Sequence, residues 1–376
     1  MMHLTAALLR SGARMLRIKS FALVLLATGM FACLDEIDLR QADDLEEGIV
    51  VRGQLIADAD TTYVTVNLER LFQFTSNLPD RVVTAQVVLE NTLGESLLLP
   101  YREGAYRLPV GGVNGRMTVR PGIGYRLLMD LEGDESYVTD FDTLPPAVVP
   151  EKLAHELVEV EGLSPAGTPA TIPSIRYALT TPVRYPDGRP ARLLYQFDTD
   201  FAVTDGRDIQ GKTSPTSKTC YVRQRRAGND VILLNGAAVN APRVENRALL
   251  TLPVNGLYAE ANYVTAYQLA ISPPAFTYFS QIGQIANQNE SIFGNPPGPV
   301  AGNVSDPDGR TANVFGFFYA ANRRPARAGV TPGEAGNPNF YCPLPPSQSP
   351  FPPPTACDDC LLFDNSSLTP PAFWEF

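Results

Sequence analysis

Short β-favouring stretches separated by turn residues run along most of this 376-residue chain. Between residues 49 and 141 the side chains alternate, most clearly at Val64, Val66 and Leu68, which fall on one face of a strand. Turn residues end each stretch, and no helical period competes. The pattern predicts a mainly β protein that begins with an immunoglobulin-like β-sandwich domain at residues 49–145. The predicted strands are 49–56, 63–68, 82–89, 96–100, 105–108, 116–119, 125–130 and 137–141.

Residues 174–376 are predicted to form a second β-rich domain. Pro145, Pro146 and Pro150 interrupt any ladder or helix ahead of it. The polar, turn-rich residues 146–173 are therefore expected to be a linker, with the edge of a domain as the alternative. Asp-Gly and Asn-Gly pairs supply hairpin signals within the second domain. Its predicted strands are 193–198, 219–223, 231–234, 248–252, 262–271 and 314–319.

One helix is predicted near residues 272–290. Ser272 is placed to cap it, Pro273 suits its first position, and Gly294 and Pro296 stop it. Apolar side chains recur at helical spacing along it. A stripe of this kind more commonly packs against a core, and a ligand groove is the alternative. The stripe consists of Phe276, Phe279, Ile282 and Ala286.

The N-terminus has the order of a signal peptide. Basic residues from Arg10 to Lys19 precede the apolar run 21–32, which is too short to cross a bilayer as a helix, and Cys33 follows directly. We therefore predict that residues 1–32 are a signal peptide and that Cys33 carries a lipid. The alternative is an ordinary signal peptide followed by an incidental cysteine.

Acidic residues dominate the segment after the cysteine. Residues 33–48 are predicted to be a lipidated acidic tether, with a merely solvated spacer as the alternative. Residues 1–32 hold four basic and no acidic residues, so the mature chain would carry 26 Lys and Arg against 40 Asp and Glu, a net charge of −14. Nucleic acid is an unsuitable partner, because phosphate contacts need clustered Lys and Arg. The lipid on Cys33 is the expected membrane attachment.

Four cysteines remain, at Cys220, Cys342, Cys357 and Cys360. An even number in an exported protein indicates two disulfides, for which three connectivities are open. We expect Cys220 and Cys342 each to pair with one member of the Cys357/Cys360 couple, which would pin the Pro-rich tail at 328–354. A redox role for the C-x-x-C pair and a four-cysteine zinc site are less favoured alternatives.

Histidine is nearly absent. His3 would leave with the signal peptide, and His155 lies in the predicted linker. Triads and zinc sites built on histidine are effectively excluded, and no nucleophile-elbow, phosphate-binding or dinucleotide-binding motif occurs. A non-catalytic protein without cofactor or metal is therefore expected.

Two groups of acidic residues resemble cation sites but are predicted to be turns. Residues 306–309 begin like a calcium loop, but Arg310 occupies the next ligand position. Asp58 and Asp60 lie in a strand connection, where solvated carboxylates are the ordinary case. A carboxylate pair for glycoside hydrolysis cannot be chosen among so many acids.

A set of short motifs follows one order along the mature chain. In this order the chain resembles the Bacteroidetes lipoproteins catalogued as domain of unknown function 4249. The resemblance implies a surface lipoprotein of the kind commonly associated with outer-membrane TonB-dependent transporters. The Pro-rich insert between Cys342 and Cys357 departs from the family pattern. The motifs are the acidic stretch after Cys33, Ile49-Val50-Val51-Arg52-Gly53, Gly104-Ala105-Tyr106, Ser291-Ile292-Phe293 before Pro296-Pro297, Gly302-Asn303-Val304, Val314-Phe315-Gly316-Phe317-Phe318, Cys357 to Cys360 and Pro371-Ala372-Phe373-Trp374.

Three classes of function are compatible with these features. The favoured one is a non-catalytic binding or accessory lipoprotein of a transporter, anchored in the outer membrane and exposed on the cell surface. A surface adhesin or glycan-binding module is the second, and a carboxylate-dependent hydrolase is the third. Aromatic residues such as Tyr278 or Phe340 are candidate anchors for a partner, although packing in a core is the favoured role of each. The apolar residues 370–374 are expected to dock onto a core.

Overall fold

The computed structural model describes the β-rich body of the chain. The described residues are 48–71, 80–111, 115–164, 166–206, 213, 215–226, 231–288, 300–310, 313–342 and 355–376. The predicted signal peptide, Cys33, the tether up to residue 47 and residues 343–354 of the Pro-rich insert lie outside these ranges. Within the ranges, no helix is both long and apolar enough to cross a membrane.

The described residues form twenty β-strands and one α-helix, α1 (Pro273–Gln288), which confirms the mainly β fold. The first ten strands are β1 (Gly48–Ala57), β2 (Thr62–Arg70), β3 (Asp80–Arg81), β4 (Gln86–Asn91), β5 (Ser96–Leu99), β6 (Tyr101–Arg102), β7 (Ala105–Gly111), β8 (Gly124–Asp130), β9 (Ser136–Thr139) and β10 (Asp142–Thr143). The others are β11 (Lys152–Leu163), β12 (Pro169–Pro182), β13 (Arg192–Thr204), β14 (Thr219–Arg226), β15 (Ile232–Asn235), β16 (Arg243–Pro253), β17 (Asn262–Ala270), β18 (Val304–Ser305), β19 (Asn313–Val330) and β20 (Ser366–Ser367). Short 3-10 turns lie at Gly236–Ala238, Gly256–Tyr258, Thr355–Cys357 and Cys360–Leu362.

These strands form one large and two smaller sheets. The large sheet has the order β20-β14-β13-β17-β19-β1-β2-β7-β6, with β15 on β13 and β3 on β2. The second sheet has the order β18-β9-β8-β4-β5, with β10 on β8, and the third is β11-β12-β16. In the large sheet β1 and β19 are parallel, whereas the other pairs are antiparallel.

Both smaller sheets cover the same face of the large sheet. The first core lies under the six-stranded sheet, where Val51 and Val64 of the large sheet meet Leu89 and Leu127. The second core lies under the three-stranded sheet and includes Tyr177. Strand β19 contributes to both cores, because its long inner face carries Phe318 and Ala320 into the first, and Ala328 and Val330 into the second.

The large sheet contains strands from both sides of the prolines at which the chain was predicted to divide. Strand β1 lies before the prolines and β19 after them, and the two are neighbours, with Ile49 paired in parallel with Val314. Hydrophobic patterning reveals strands but not such distant partners. The division into two domains stays a prediction.

The linker expected at 146–173 is wrong. Strand β11 lies there and pairs along its whole length with β12. Most β11 side chains are exposed or half-buried, so the segment lacks the apolar alternation by which strands are recognised. Its main-chain hydrogen bonds hold it to β12, and β12 is the strand of the hairpin that buries Ile175 and Tyr177 in the second core.

The strand predicted at 116–119 is also absent. This segment is bound by a side chain, since Glu95 accepts hydrogen bonds from the amide (2.8 Å) and the hydroxyl (2.8 Å) of Thr118. These bonds hold the pKa of the Glu95 carboxyl below its ordinary value. The Glu95 carboxylate thus accepts from a backbone amide that would otherwise pair with a neighbouring strand.

The predicted helix is confirmed as α1. Ser272 caps it by accepting a hydrogen bond from the amide of Ala275 (3.2 Å). The helix packs on the outer face of the large sheet, which is the face turned away from the two cores. There Phe276 and Phe279 are partly buried against Leu269 and Ile271. This packing confirms the core role for Phe276, whereas Phe279 both packs there and lines the groove described below.

Candidate functional site

A groove lies on the outer face of the large sheet beside α1. Alternation along β1 turns Val51 and Leu55 into the first core and therefore turns Arg52 and Gln54 outward. The parallel register aligns Arg52 with Phe317 and Gln54 with Tyr319. Two neighbouring strands thus present an arginine, an amide and two aromatic rings on one surface.

Aromatic rings form the wall of this groove. Tyr278 of α1 stacks on Phe317, with ring centroids 4.6 Å apart and planes inclined by 25°. Phe279 meets Tyr319 edge to face at 5.2 Å and 89°. Phe315, two residues before Phe317 on β19, remains 42% exposed and extends the aromatic surface. The contacts fix the rings of α1 against the sheet.

Polar side chains form the floor. The Tyr319 hydroxyl donates to Gln54 Oε1 at 2.8 Å, and Gln196 of β13 lies close to them in the groove. Burial raises the pKa of Tyr319 to about 12, so the hydroxyl stays protonated at neutral pH. Thr65 and Asn67 of β2 continue the polar surface. The floor can both donate and accept hydrogen bonds.

The groove consists of two chambers that share Gln54 and Phe279. The first, of about 260 Å³, is bounded by Arg52, Tyr278 and Phe317. The second, of about 330 Å³, is bounded on the outer face by Gln196 and Arg225, and it reaches past the end of β14 to Phe197 and Arg226 on the side of the second core. Together they are called the α1 groove below. Their combination of aromatic surface with a few oriented polar groups is typical of small-molecule sites.

The predicted cysteines form two disulfides, Cys220–Cys360 and Cys342–Cys357. Each member of the Cys357/Cys360 couple has a different partner, as expected from the sequence. The two alternatives, a redox pair formed by Cys357 and Cys360 and a zinc site formed by all four cysteines, are therefore wrong. Lys218 adds an ion pair of 2.8 Å to Asp359 beside them. The cysteines are structural tethers of the C-terminal segment and do not line the α1 groove.

The turn predicted at 306–309 is confirmed, whereas Asp58 is an ion-paired carboxylate and not the solvated one expected. Asp306 accepts hydrogen bonds from the amides of Asp308 (2.8 Å) and Arg310 (2.8 Å). Asp58 binds the guanidinium of Arg323 through both oxygens, at 2.6 Å each, rather than sharing a cation with Asp60. Among the described residues no cluster of three His, Cys, Asp or Glu could hold a metal ion.

The aromatic residues named from sequence have different positions. Tyr278 lines the α1 groove, whereas Phe340 is half-buried and is not among the residues that line it. The docking expected for residues 370–374 is confirmed, because the rings of Phe373 and Trp374 pack against the ring of Tyr263 on the outer face. Their ring centroids lie 5.5 and 5.1 Å from that of Tyr263. His155 lies 3.4 Å from Glu334, again away from the groove.

Several groove residues could not be selected from the sequence. Arg52 and Gln54 are polar positions in an otherwise apolar strand, which is the one local signal of an outward, hydrated face. Gln196 belongs to β13, and nothing local connects it with Tyr319. Strand pairing and the placement of α1 bring these side chains together.

A second cavity, of about 500 Å³, lies near the N-terminus of α1. Its lining includes Pro145, Tyr185 and Arg192. Beside it the buried carboxyl group of Asp142 accepts a hydrogen bond from the Ser272 hydroxyl. This cavity touches the joint between the helix cap and the six-stranded sheet, and it lacks the stacked aromatic wall of the α1 groove.

The fold and groove define a class: a mainly β protein with two cores under one continuous sheet and an amphipathic groove on its opposite face. The chain belongs to the family described as Domain of unknown function (DUF4249), which it matches over residues 35–327. This match confirms the resemblance to domain of unknown function 4249 over those residues. No curated protein and no solved structure matches the chain.

Proposed function

We propose that this chain is an outer-membrane lipoprotein, exposed on the cell surface, that acts as a non-catalytic binding or accessory subunit of a TonB-dependent transporter. In this proposal the α1 groove holds the ligand. The observation that carries it is the joint presence of an aromatic wall and a hydrogen-bonding floor in one concave surface. Such surfaces bind molecules that have both apolar and polar faces.

The groove is held in shape by its own side chains, which supports a binding role. The stack of Tyr278 on Phe317 and the hydrogen bond from Tyr319 to Gln54 fix both wall and floor. A ligand that enters a fixed groove does not have to order these side chains, so less free energy is lost on binding. The rigid sheet beneath the groove also keeps the lining side chains in position.

The anchoring part of the proposal rests on the N-terminal sequence. A lipid on Cys33 would hold the protein at a membrane, and the acidic residues 33–48 would keep the link hydrated. Fully extended, this segment spans at most about 58 Å. The β-body would therefore stay within reach of a neighbouring membrane protein while its groove stays open to the outside.

Affinity capture tests the accessory role. We expect tagged full-length protein, extracted from native membranes with mild detergent, to recover a TonB-dependent transporter in stoichiometric amount. Protease treatment of intact cells should remove the β-body. Recovery of the lipoprotein alone, together with protection from protease, contradicts the proposal. The variant C33A serves as the control, because it should lose both acylation and the partner.

A further inference from the structure

The α1 groove is rich in arginine, although the chain as a whole carries a net charge of −10. Arg52 lines one chamber, and Arg225 and Arg226 line the other. Among the described residues that line either chamber there is no Asp or Glu. Arg52 pairs with Glu69 and Arg225 lies 3.8 Å from Asp198, but both guanidinium groups remain largely exposed. The local charge therefore favours an anionic ligand.

The other lining groups favour a ligand with both apolar and polar faces over a simple inorganic anion or a purely apolar molecule. Rings of Tyr278 and Phe279 offer apolar surface, while the amides of Gln54, Asn67 and Gln196 offer donors and acceptors. Sugar rings have apolar C–H faces for packing against aromatic rings and hydroxyl groups at their edges for hydrogen bonding with amides.

Combining these features, we infer that the α1 groove binds an acidic oligosaccharide, a chain of uronic acid residues. The sugar rings pack against Tyr278 and Phe279, the hydroxyls meet the amides of the floor, and the carboxylates meet the arginines. Arginine presents a planar fork that matches a carboxylate through two hydrogen bonds. This inference rests on the proposed function of the groove as the ligand site and adds the class of ligand.

Calorimetry on the acylated full-length protein in detergent micelles tests the inference. The probes are polygalacturonate and its fully methyl-esterified form, which has the same backbone without the charge. We expect the acidic polymer to bind, the ester to bind at least about tenfold more weakly, and rising salt to weaken only the acidic polymer. Equal binding of the two polymers, or binding of neither, overturns the inference.

Matched variants locate the binding. We expect the double variant R52Q/R225Q, which changes the two arginines on the outer face, to lose about tenfold in affinity for polygalacturonate while its affinity for the ester stays unchanged. Arg243, which pairs with Glu245 on β16, supplies the control R243Q, and this variant should bind like the wild type. An equal loss in R243Q, or none in R52Q/R225Q, overturns the inference.

The aromatic wall has its own pair of variants. Y278A should lose binding of both polymers by about tenfold, and Y278F, which keeps the ring, should retain it. Retained binding in Y278A overturns the inference. Transporter capture without polysaccharide binding defeats the inference and leaves the accessory role standing. Polysaccharide binding without a captured transporter supports the inference and contradicts the accessory role.

Discussion

The side-chain amide of Asn303 takes the place of a neighbouring strand for Phe318. Its Nδ2 donates to the carbonyl of Phe318 (2.8 Å), and the amide of Phe318 donates to its Oδ1 (2.9 Å). Strand β17 pairs with β19 only from Asn322 onward, so this stretch would otherwise present an open edge. Asp142 acts similarly two residues later, since it accepts from the amide of Ala320 (2.8 Å). Two side chains thereby close the edge where the first core begins.

Replacing Asn303 by alanine should destabilise the fold. Phe318 is fully buried, so its carbonyl and amide would lose their partners without gaining water. We expect a loss of about 1–3 kcal/mol in the free energy of unfolding for each group left unpaired. Urea titration followed by circular dichroism measures it. Asn240 is exposed, so N240A is the matched control, and equal stability of the two variants would contradict this role.

Gly316 and Gly302 lie where two backbone segments approach each other too closely for a side chain. Gly316 has a φ of +111°, and a Cβ there would lie 1.8 Å from the carbonyl oxygen of Val51. A Cβ on Gly302 would lie 2.1 Å from the carbonyl oxygen of Gly316. The segment that carries Asn303 can therefore approach β19 only because both residues lack a side chain.

The variant G316A should fail to fold or lose more than about 3 kcal/mol of stability, because backbone atoms cannot yield to the new methyl group. Gly94 also has a positive φ, of +83°, but no atom lies within 4 Å of its Cβ position. The control G94A thus carries only the backbone penalty, about 1 kcal/mol. Thermal unfolding compares the two. Similar melting temperatures would show that the close approach of β1 is unimportant.

Local signals in the sequence predicted the local parts of this structure. Ser272 and Pro273 marked the start of α1, because capping and a preset φ depend on adjacent residues only. The alternation at Val64 and Val66 marked β2 for the same reason. The sequence also named the four cysteines, and their expected partners agree with the structure.

Distant pairings and exposed strands could not be predicted in the same way. Gly48 pairs with Asn313 across most of the chain, and no local pattern specifies a parallel partner. Strand β11 is polar and exposed, so it resembled a linker. The α1 groove could not be predicted for the same reason. Its residues Gln54, Tyr319 and Gln196 come together only when β1, β13 and β19 form one sheet.

The two disulfides should differ in their contribution to stability. Cys220–Cys360 joins residues 140 positions apart and Cys342–Cys357 joins residues 15 apart. In the chain-entropy model a 15-residue loop contributes about 3 kcal/mol and a 140-residue loop about 5 kcal/mol. We expect C220A/C360A to lower the midpoint of guanidinium unfolding more than C342A/C357A. The reverse order would show that loop size does not govern the effect.

Asp142 links three elements through a buried carboxyl group. It accepts hydrogen bonds from Ser272, the cap of α1, and from the amide of Ala320 on β19. Burial raises its pKa from an ordinary 3.8 to about 6, against the opposing effect of these two hydrogen bonds. No ion pair to it is among those of the described residues.

Because the folded state holds this proton more tightly than the unfolded state, Asp142 stabilises the protein most below about pH 4, and the contribution disappears as pH rises through about 6. The variant D142N cannot titrate, yet its amide can donate to Ser272 and accept from Ala320. We therefore expect the unfolding free energy of the wild type, minus that of D142N, to fall by about 2–3 kcal/mol between pH 4 and pH 7. Urea titrations across that range measure the difference, and parallel pH profiles would refute the assignment.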